Sequence, residues 1–308
     1  MEDAIAGEHT VLRQEDEGYP PALLELPDAP RKLFVIGNVD ALQEGLAVVG
    51  ARKATPYGRG CARRFARRAA RRGIVIISGG ARGCDAEAHR AALAEHAPTV
   101  VFMGGGCHRV YPAQHAALFQ EVVEAGGALV SEHEWDTPPR PFMFRLRNRL
   151  IAGLAKATLI VEAGLPSGTF STADEALRVN RDVLVVPGSI ESAQSRGANR
   201  LIYQGATPIV DDDAFDERIC SLFGLLRQEE VARTEEPSLA GVERTLMDAL
   251  AATPMGAEEL FLLAAQEGGR AWTTAALSSW IALMETRGLI TRYPGGKYGA
   301  QVKGGARP

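Results

Sequence analysis

The sequence predicts a doubly wound α/β domain with a mainly parallel sheet, followed by a small helical domain. Short apolar runs rich in β-branched residues recur through the first two thirds of the chain, and patterns of helical periodicity separate them. The strand candidates are 46–50, 74–78, 99–103, 128–131, 157–162 and 183–187, and the helix candidates are 57–72, 83–95, 112–125, 145–154 and 169–179. Nearly continuous apolar runs are typical of strands covered on both faces, and alternation of strands with helices indicates βαβ units.

The chain beyond residue 227 has a different composition, which predicts a second domain. A polar, acidic stretch with one proline reads as a linker, and three amphipathic helices follow it at 239–250, 256–265 and 273–287. A glycine-centred hairpin around 294–296 completes the pattern of a winged helix. The predicted organisation is an N-terminal extension (1–44), the α/β domain (45–227), the linker (228–238), a winged-helix-like domain (239–300) and a tail (301–308).

The composition excludes several classes of protein. With 46% hydrophobic residues and a formal net charge of −4, the chain of 308 residues is expected to be globular rather than disordered. It has no run of about 18 apolar residues that predicts a membrane span, and its acidic start does not resemble a secretory leader. The four cysteines form no CxxC pair, which argues against a zinc site and against a disulfide framework. We therefore expect a cytoplasmic protein without a metal ion.

Positive charge is concentrated in two segments of this acidic chain. Nine basic residues and no acidic residue lie between 52 and 72, and a second basic run without acids extends from 140 to 156. In the helix predicted at 57–72, arginines occupy one half of the surface, while alanines and Phe65 occupy the other half. This pattern indicates an amphipathic surface helix first, and a track for DNA only second.

Several predicted strands end in turns rich in glycine and hydroxyl residues. These turns contain Gly50 to Lys53, Ser78 to Gly83, Gly104 to Gly106, and Ser167 to Thr169. Glycine allows a ligand to approach the backbone closely, and amides at the start of a following helix can bind phosphate. Because the carboxyl ends of parallel strands share one edge of the sheet, the turns together predict an anion or phosphate site. Neither a Walker A motif nor the dinucleotide-binding glycine pattern is present, so no cofactor is expected.

The segment from Phe142 to Arg149 interleaves aromatic rings with guanidinium groups. Arginine binds phosphate through paired hydrogen bonds, and phenylalanine can stack on an unpaired base, which is the combination that single-stranded nucleic acid requires. The alternative is the start of an ordinary helix, with phenylalanine in the core and arginine in solvent.

These motifs together resemble the DNA-processing protein A (DprA/Smf) family. The matching segments run from YPPALLELPDAP at residue 19 through AVVGARKATPYG, ISGGARGCDAEAHRAAL, GGGCHRVYPAQH and RNRLIAGLAKATLIVEA to VPGSIESAQSRGANRLIYQGA, which ends at residue 206. The resemblance implies a Rossmann-like domain that binds single-stranded DNA without sequence preference. It also implies a homodimer that protects incoming strands, loads the recombinase RecA during natural transformation, and catalyses no established reaction.

The resemblance also implies which residues bind DNA. The phosphate pocket would use Gly50, Arg52, Lys53, Ser78, Gly79, Gly80, Arg82, Ser167, Gly168 and Thr169, and the family's stacking aromatic would be Phe144, ahead of Arg147, Asn148 and Arg149. The family usually has Gly-x-Phe-Pro before the latter motif, whereas this chain has Phe142-Met143-Phe144-Arg145. A basic residue that some members carry before that glycine has no clean match, which leaves Arg140 and Arg145 as alternatives.

Two questions remain open at this level. Six acidic and five basic residues lie between 239 and 300, which favours a protein contact over double-stranded DNA for the winged helix. The alternative functions are a nucleotide-sensing regulator and a phosphoribohydrolase of the LOG type. Enzymes of the LOG type carry a glutamate in a GGxGTxxE motif, and Thr172 stands at that position here. A hydroxyl cannot replace the carboxylate as a base.

Overall fold

The computed structural model describes residues 5–165, 167–225, 239, 241–268 and 272–301. The chain divides into two compact units, one made of residues 1–54 and 61–227 and the other of residues 55–60 and 228–308. The predicted linker (228–238) and residues 302–308 of the predicted tail lie outside the described residues. The domain boundaries given above therefore remain predictions.

The first unit is built around a nine-stranded sheet. Its strands are β1 (His9–Arg13), β2 (Lys32–Gly37), β3 (Gly45–Val49), β4 (Ile76–Ser78), β5 (Thr99–Phe102), β6 (Ala128–Ser131), β7 (Ala155–Ile160), β8 (Asp182–Val185) and β9 (Thr207–Pro208). They lie in the order β1-β2-β6-β5-β4-β3-β7-β8-β9. The strands from β3 to β9 pair in parallel, whereas β1 pairs antiparallel with β2 and β2 antiparallel with β6. The prediction of a mainly parallel α/β fold is confirmed.

The N-terminal segment differs from its prediction as an extension outside the α/β domain. Residues 1–44 supply two strands of the same sheet, and β2 is buried over Leu33 to Gly37. The acidic residues of this segment, such as Asp16, Glu17 and Asp28, fall in the turns between the strands. Their charge dominates the average over the segment, and it conceals two short strands whose inward side chains are apolar.

Helices flank both faces of the sheet, as expected for strands that are buried on both sides. They are α1 (Pro21–Leu24), α2 (Pro56–Ala70), α3 (Cys84–Ala94), α4 (Ala116–Glu124), α5 (Pro141–Leu154), α6 (Thr169–Arg178), α7 (Arg196–Tyr203) and α8 (Asp212–Phe223). Helix α5 begins four residues before its predicted start, because Pro141 occupies the first helical position, where the missing amide hydrogen costs nothing.

The strand order reverses beside β3. The chain leaves β3 for β4 on one side and returns through β7 on the other side. In open α/β sheets such a reversal creates a crevice beyond the carboxyl ends of the two strands, where ligands bind. The turns after β3, β4, β5 and β7 therefore form one candidate binding edge, which we call the carboxyl edge.

The second unit contains α9 (Val242–Ala252), α10 (Ala257–Gly268) and α11 (Thr274–Thr286), followed by the antiparallel hairpin of β10 (Ile290–Tyr293) and β11 (Lys297–Ala300). Its core is formed by Leu246, Leu250, Leu260, Trp280 and Met284. This element order agrees with the sequence prediction. Among the helices in the described part of the chain, none is long and apolar enough to cross a membrane.

Candidate functional site

The turn after β3 presents two exposed cations. Arg52 and Lys53 are exposed, and neither forms an ion pair with any residue that the structure describes. The amide of Ala51 donates a 2.8 Å hydrogen bond to the carbonyl of Glu162, which joins this turn to the end of β7. A side chain at Gly50 would lie 2.6 Å from Cys84 Sγ, so packing against α3 also requires this glycine.

The turn after β4 differs from its prediction as a phosphate cradle. The Ser78 hydroxyl is buried and donates a 2.6 Å hydrogen bond to the carbonyl of Val48. The carboxylate of Asp85 accepts hydrogen bonds from the amides of Gly79 and Ala81, and burial raises its pKa above the ordinary value for aspartate. Because a carboxylate of the protein already occupies these amides, they are not free to bind phosphate.

Two further residues of the same turn have different environments. Gly80 is buried and has a φ of 66°, a left-handed conformation that glycine adopts without strain. Arg82 is exposed and forms no ion pair within the described residues. Of the predicted site residues in this turn, only Arg82 therefore offers a free charged group.

Arg147 lies inside the protein rather than at the binding surface. Its side chain donates to the carbonyls of Gly79, at 2.7 Å, and Phe102, and only 4% of the residue is exposed. Burial lowers the pKa of Arg147 to about 10, while the nearby carboxylate of Asp85 opposes that shift. The guanidinium therefore ties the ends of β4 and β5 to α5, and its predicted contact with DNA is not available in this arrangement.

Arg149 also forms ion pairs within the protein. Its guanidinium lies 2.7 Å from a carboxylate oxygen of Asp28 and 2.7 Å from one of Glu132, and 7% of the residue is exposed. Both partners lie in segments that the sequence analysis did not connect with this motif. The pairing corrects the prediction that Arg149 contacts DNA directly.

Asn148 and the turn after β7 form a small polar cluster. The Asn148 amide donates a 2.7 Å hydrogen bond to Ser171 Oγ, whose hydroxyl donates to the carbonyl of Gly168. The hydroxyl oxygen of Ser167 accepts a hydrogen bond from the amide of Thr169, at the start of α6. Gly168 is exposed and Thr169 is buried. The cluster fixes the shape of this turn, in which the backbone of Gly168 is exposed.

An aromatic ring and a guanidinium meet at the surface of the carboxyl edge. The Phe144 ring lies with its centroid 5.5 Å from the guanidinium carbon of Arg52 and 5.3 Å from the centroid of the Tyr111 ring. Phe144 packs on backbone that has no side chain, since a Cβ at Gly104 would lie 2.6 Å from Phe144 Cδ1. Phe144 is half-buried, whereas Arg52 and Tyr111 are exposed. The edge thus presents aromatic surface beside positive charge.

Tyr111 is the residue of this cluster that the sequence analysis did not identify. The only signal was its place at the end of the glycine-rich turn after β5, in the segment Arg109-Val110-Tyr111-Pro112. The interleaved pattern of 142–149 pointed to Phe142 equally, yet Phe142 lies on the other side of α5, 200° away from Phe144 at 100° per residue.

Six arginines of α2 and of the turn after it have carboxylate partners, which is expected of an amphipathic surface helix. Arg63 pairs with Glu87, Arg64 with Asp212, Arg67 and Arg71 with Glu95, Arg68 with Asp212 and Asp216, and Arg72 with Asp216. These pairs bind α2 to α3 and α8. Most of the positive charge in the first basic segment is therefore neutralised within the protein.

A family model described as DNA recombination-mediator protein A matches residues 10–219 of the chain. Protein Smf of Escherichia coli is 42% identical over 218 residues, which is 70% of this chain and 58% of that protein. Protein Smf of Synechocystis is 34% identical over 66% of this chain and 52% of its own length. The chain thus spans between about half and three fifths of the length of these curated relatives.

Two solved structures have the same fold. DNA processing protein A from Streptococcus pneumoniae aligns with a TM-score of 0.63 and 34% identity, over 67% of this chain and 73% of that chain. The structure that describes the single-stranded DNA-binding mode of DNA processing protein A from Helicobacter pylori aligns with a TM-score of 0.64 and 30% identity. It covers 72% of this chain and 99% of that chain.

Proposed function

The chain belongs to the DNA recombination-mediator protein A family, and from this premise we propose that it binds single-stranded DNA without preference for base sequence. The bound strand lies across the carboxyl edge of the sheet. The similarity to a Helicobacter pylori protein with a described single-stranded DNA-binding mode supports this proposal, because that protein shares both the fold and 30% of the aligned residues.

The observation that carries the proposal is the contact between Arg52 and Phe144, 5.5 Å apart, on an exposed part of this edge. A guanidinium binds phosphate, and an aromatic ring stacks on any base, so the pair recognises a nucleic acid strand without reading its sequence. Further exposed cations without an ion pair in the described residues lie in the same turns and at the start of α5, namely Lys53, Arg82, Arg140 and Arg145.

The preference for a single strand follows from the stacking contact. A base in a duplex is already paired and stacked, whereas an unpaired base can place its face on Phe144. If about four of the exposed cations contact phosphates, the logarithm of the affinity falls with the logarithm of salt concentration with a slope near −3, at roughly −0.7 per contact.

The proposal extends to the family's wider role. We infer that a homodimer of this cytoplasmic protein protects incoming single strands and loads a RecA recombinase onto them during natural transformation. The second unit, a winged helix in this proposal, contacts protein rather than double-stranded DNA, because α11 carries Glu285 as its one charged residue. The exposed surface of α11 includes Thr274, Ser278 and Ser279, and this helix lacks the cations that phosphate contacts require.

An enzymatic role is the weaker alternative. Thr172, at the position where LOG-type phosphoribohydrolases carry glutamate, is buried on α6 with 2% of the residue exposed. We therefore propose a binding protein rather than a nucleotide hydrolase.

The test is the fluorescence anisotropy of a labelled oligothymidine, single-stranded and then hybridised, titrated at several salt concentrations. We expect tight binding of the single strand and weaker binding of the duplex. Arg52→Ala should weaken binding about tenfold and reduce the salt slope by about 0.7, because one charged contact with phosphate is lost. The matched control is Arg63→Ala, whose guanidinium pairs with Glu87 at 2.8 Å. Absence of binding at low salt would overturn the proposal.

A further inference from the structure

We propose that Tyr111 is a second base-stacking residue beside Phe144, so that the carboxyl edge holds two successive unpaired bases. This inference rests on the proposed binding of single-stranded DNA. It assigns a role to the turn after β5, which contributes no cation to the candidate site except Arg109, and Arg109 lies 3.8 Å from the carboxylate of Asp136.

The first support is the exposure of the Tyr111 ring. About half of the residue, 49%, is accessible to solvent, and no hydrogen bond of its phenol group occurs within the described residues. Tyr19 shows how a structural tyrosine of this protein differs. It is 3% exposed, and its hydroxyl donates a 2.6 Å hydrogen bond to the carbonyl of Pro30. Tyrosine side chains that are buried for stability usually satisfy the hydroxyl in this way.

The second support is the geometry of the ring pair. The centroids of Tyr111 and Phe144 are 5.3 Å apart, and the ring planes are tilted by 50°. Rings in direct contact leave no space for a base between them, so a base can stack only on an outward face of either ring. Two such faces, set at an angle, suit two neighbouring bases of a bent single strand. A single base held between the two rings does not fit this arrangement.

The third support is the position of the pair along the edge. Arg52 follows β3, Phe144 belongs to α5, and Tyr111 follows β5, so the three groups come from three elements that converge at one edge. Arg147 connects α5, which carries Phe144, to the ends of β4 and β5, because it donates hydrogen bonds to the carbonyls of Gly79 and Phe102. The order from Arg52 through Phe144 to Tyr111 places a phosphate-binding group at one end and aromatic surface at the other.

The exposed side chains of Phe142 and Leu146 do not extend this surface. Phe142 and Leu146 lie next to each other on α5, but both are 200° around the helix axis from Phe144. Tyr203, at the end of α7, is 80% exposed and lies over the guanidinium of Arg200 at 5.2 Å. It is therefore an exposed tyrosine ring next to a guanidinium but outside the Phe144 cluster, and it provides a matched control.

The experiment measures the affinity of the full chain for oligothymidine and the fluorescence of 2-aminopurine placed at single positions in it. Tyr111→Leu keeps apolar packing on Phe144 but removes the aromatic face, and Tyr111→Phe keeps that face. We expect Tyr111→Leu to weaken binding about tenfold with an unchanged salt slope, and Tyr111→Phe to stay within about twofold of the wild type. Tyr203→Leu should bind as the wild type does. The 2-aminopurine fluorescence should be quenched less in the complex of Tyr111→Leu than in the wild-type complex, because one of the two stacking faces is lost.

The outcomes separate this inference from the function on which it rests. A wild-type protein that fails to bind any single strand overturns both. Wild-type binding with an unaffected Tyr111→Leu variant overturns the inference and leaves the proposed function in place. The inference is also wrong if Tyr111→Phe binds as weakly as Tyr111→Leu, since the hydroxyl and not the ring would then carry the effect. Circular dichroism melting of each variant confirms that the fold is intact.

Discussion

The arginines of α2 and the cations beside Phe144 look alike in the sequence, but their side chains have different neighbours. In the first region, Arg68 and Arg72 share the carboxylate of Asp216, at 2.5 Å and 2.8 Å. In the second region, Arg52 contacts an aromatic ring and no carboxylate within the described residues. The two regions contain similar residues, but the different neighbours give them different roles. The arginines of the first region are structural, and the cations of the second are available to a ligand.

The difference shows that the density of basic residues does not predict a binding surface. The partners of α2 lie far away in the chain, since Asp212 and Asp216 follow Arg64 and Arg68 by 148 residues. A cation that already pairs with a carboxylate of the protein displaces few counterions from the DNA phosphates. An unpaired surface cation that binds a phosphate displaces them more completely. Availability of charge, rather than its amount, distinguishes the carboxyl edge.

The largest expected effect is a loss of stability when the ion pairs of the α2 arginines are removed. Asp216 is 4% exposed, and Asp216→Ala leaves the nearly buried guanidinium of Arg72 without its partner. We expect the free energy of unfolding, measured by urea denaturation, to fall by about 3–5 kcal/mol. Glu217→Ala, an exposed position on the same helix, is the control and should change it by less than about 0.5 kcal/mol.

The same variant also tests the division of roles between the two regions. The affinity of folded Asp216→Ala for a single strand should remain within about twofold of the wild type. A marked gain of affinity in the folded variant, where Arg68 and Arg72 no longer pair with Asp216, would mean that these arginines contact DNA, and the comparison above would be wrong.

A second, smaller effect is expected at Arg147, a buried cation below the carboxyl edge that we expect to act on stability and not to contact DNA directly. Arg147→Met frees the carbonyls of Gly79 and Phe102 and leaves the buried carboxyl of Asp85 without its cation. We expect a loss of about 3 kcal/mol in unfolding free energy. Binding should weaken without any change in salt slope, because this guanidinium does not meet a phosphate. A slope that falls as it does in Arg52→Ala would show that Arg147 contacts the strand directly.

A third prediction concerns acid pH, at which we expect the free energy of unfolding to fall while the affinity for DNA changes little. Burial lowers the pKa of His89 from its ordinary 6.5 to about 3, and the nearby guanidinium of Arg147 acts in the same direction. The folded state therefore excludes a proton that the unfolded state accepts. The contribution of neutral His89 to the free energy of unfolding is fully present above pH 6.5. It declines as the pH falls below this value, by about 1.4 kcal/mol per pH unit for one proton.

This decline should be visible in urea denaturation between pH 6.5 and pH 5, and His89→Gln should show a shallower slope. Guanidinium and ammonium groups keep their charge in this range, so DNA affinity of the folded protein should change little. An identical pH dependence of stability in the wild type and in His89→Gln would contradict the assignment.

The sequence predicted the fold better than it predicted the site. Apolar runs located the six central strands, because a strand buried on both faces has to be apolar throughout. They did not locate β1 and β2, whose segment is acidic in its turns. The strand-end turns follow β3, β4, β5 and β7 as predicted, and their role as a binding site stays a prediction.

The site prediction failed where side chains bond to distant residues. Arg149 pairs with Asp28, 121 residues away, and Asp85 occupies the amides that were expected to bind phosphate. Local spacing contains no information about such partners, since they are set by the packing of separate elements. Tyr111 was missed for the same reason, because its contact with Phe144 joins two segments that the chain keeps apart.

The central claim is that unpaired cations of the carboxyl edge, and not the arginines of α2, bind the strand. The most direct test compares the salt dependence of oligothymidine affinity for two double variants, Arg52→Ala with Lys53→Ala and Arg63→Ala with Arg64→Ala. We expect the first double variant to reduce the slope by about 1.4, at roughly 0.7 per lost contact, and the second to leave the slope unchanged. An unchanged slope in the first variant with a reduced slope in the second would contradict it.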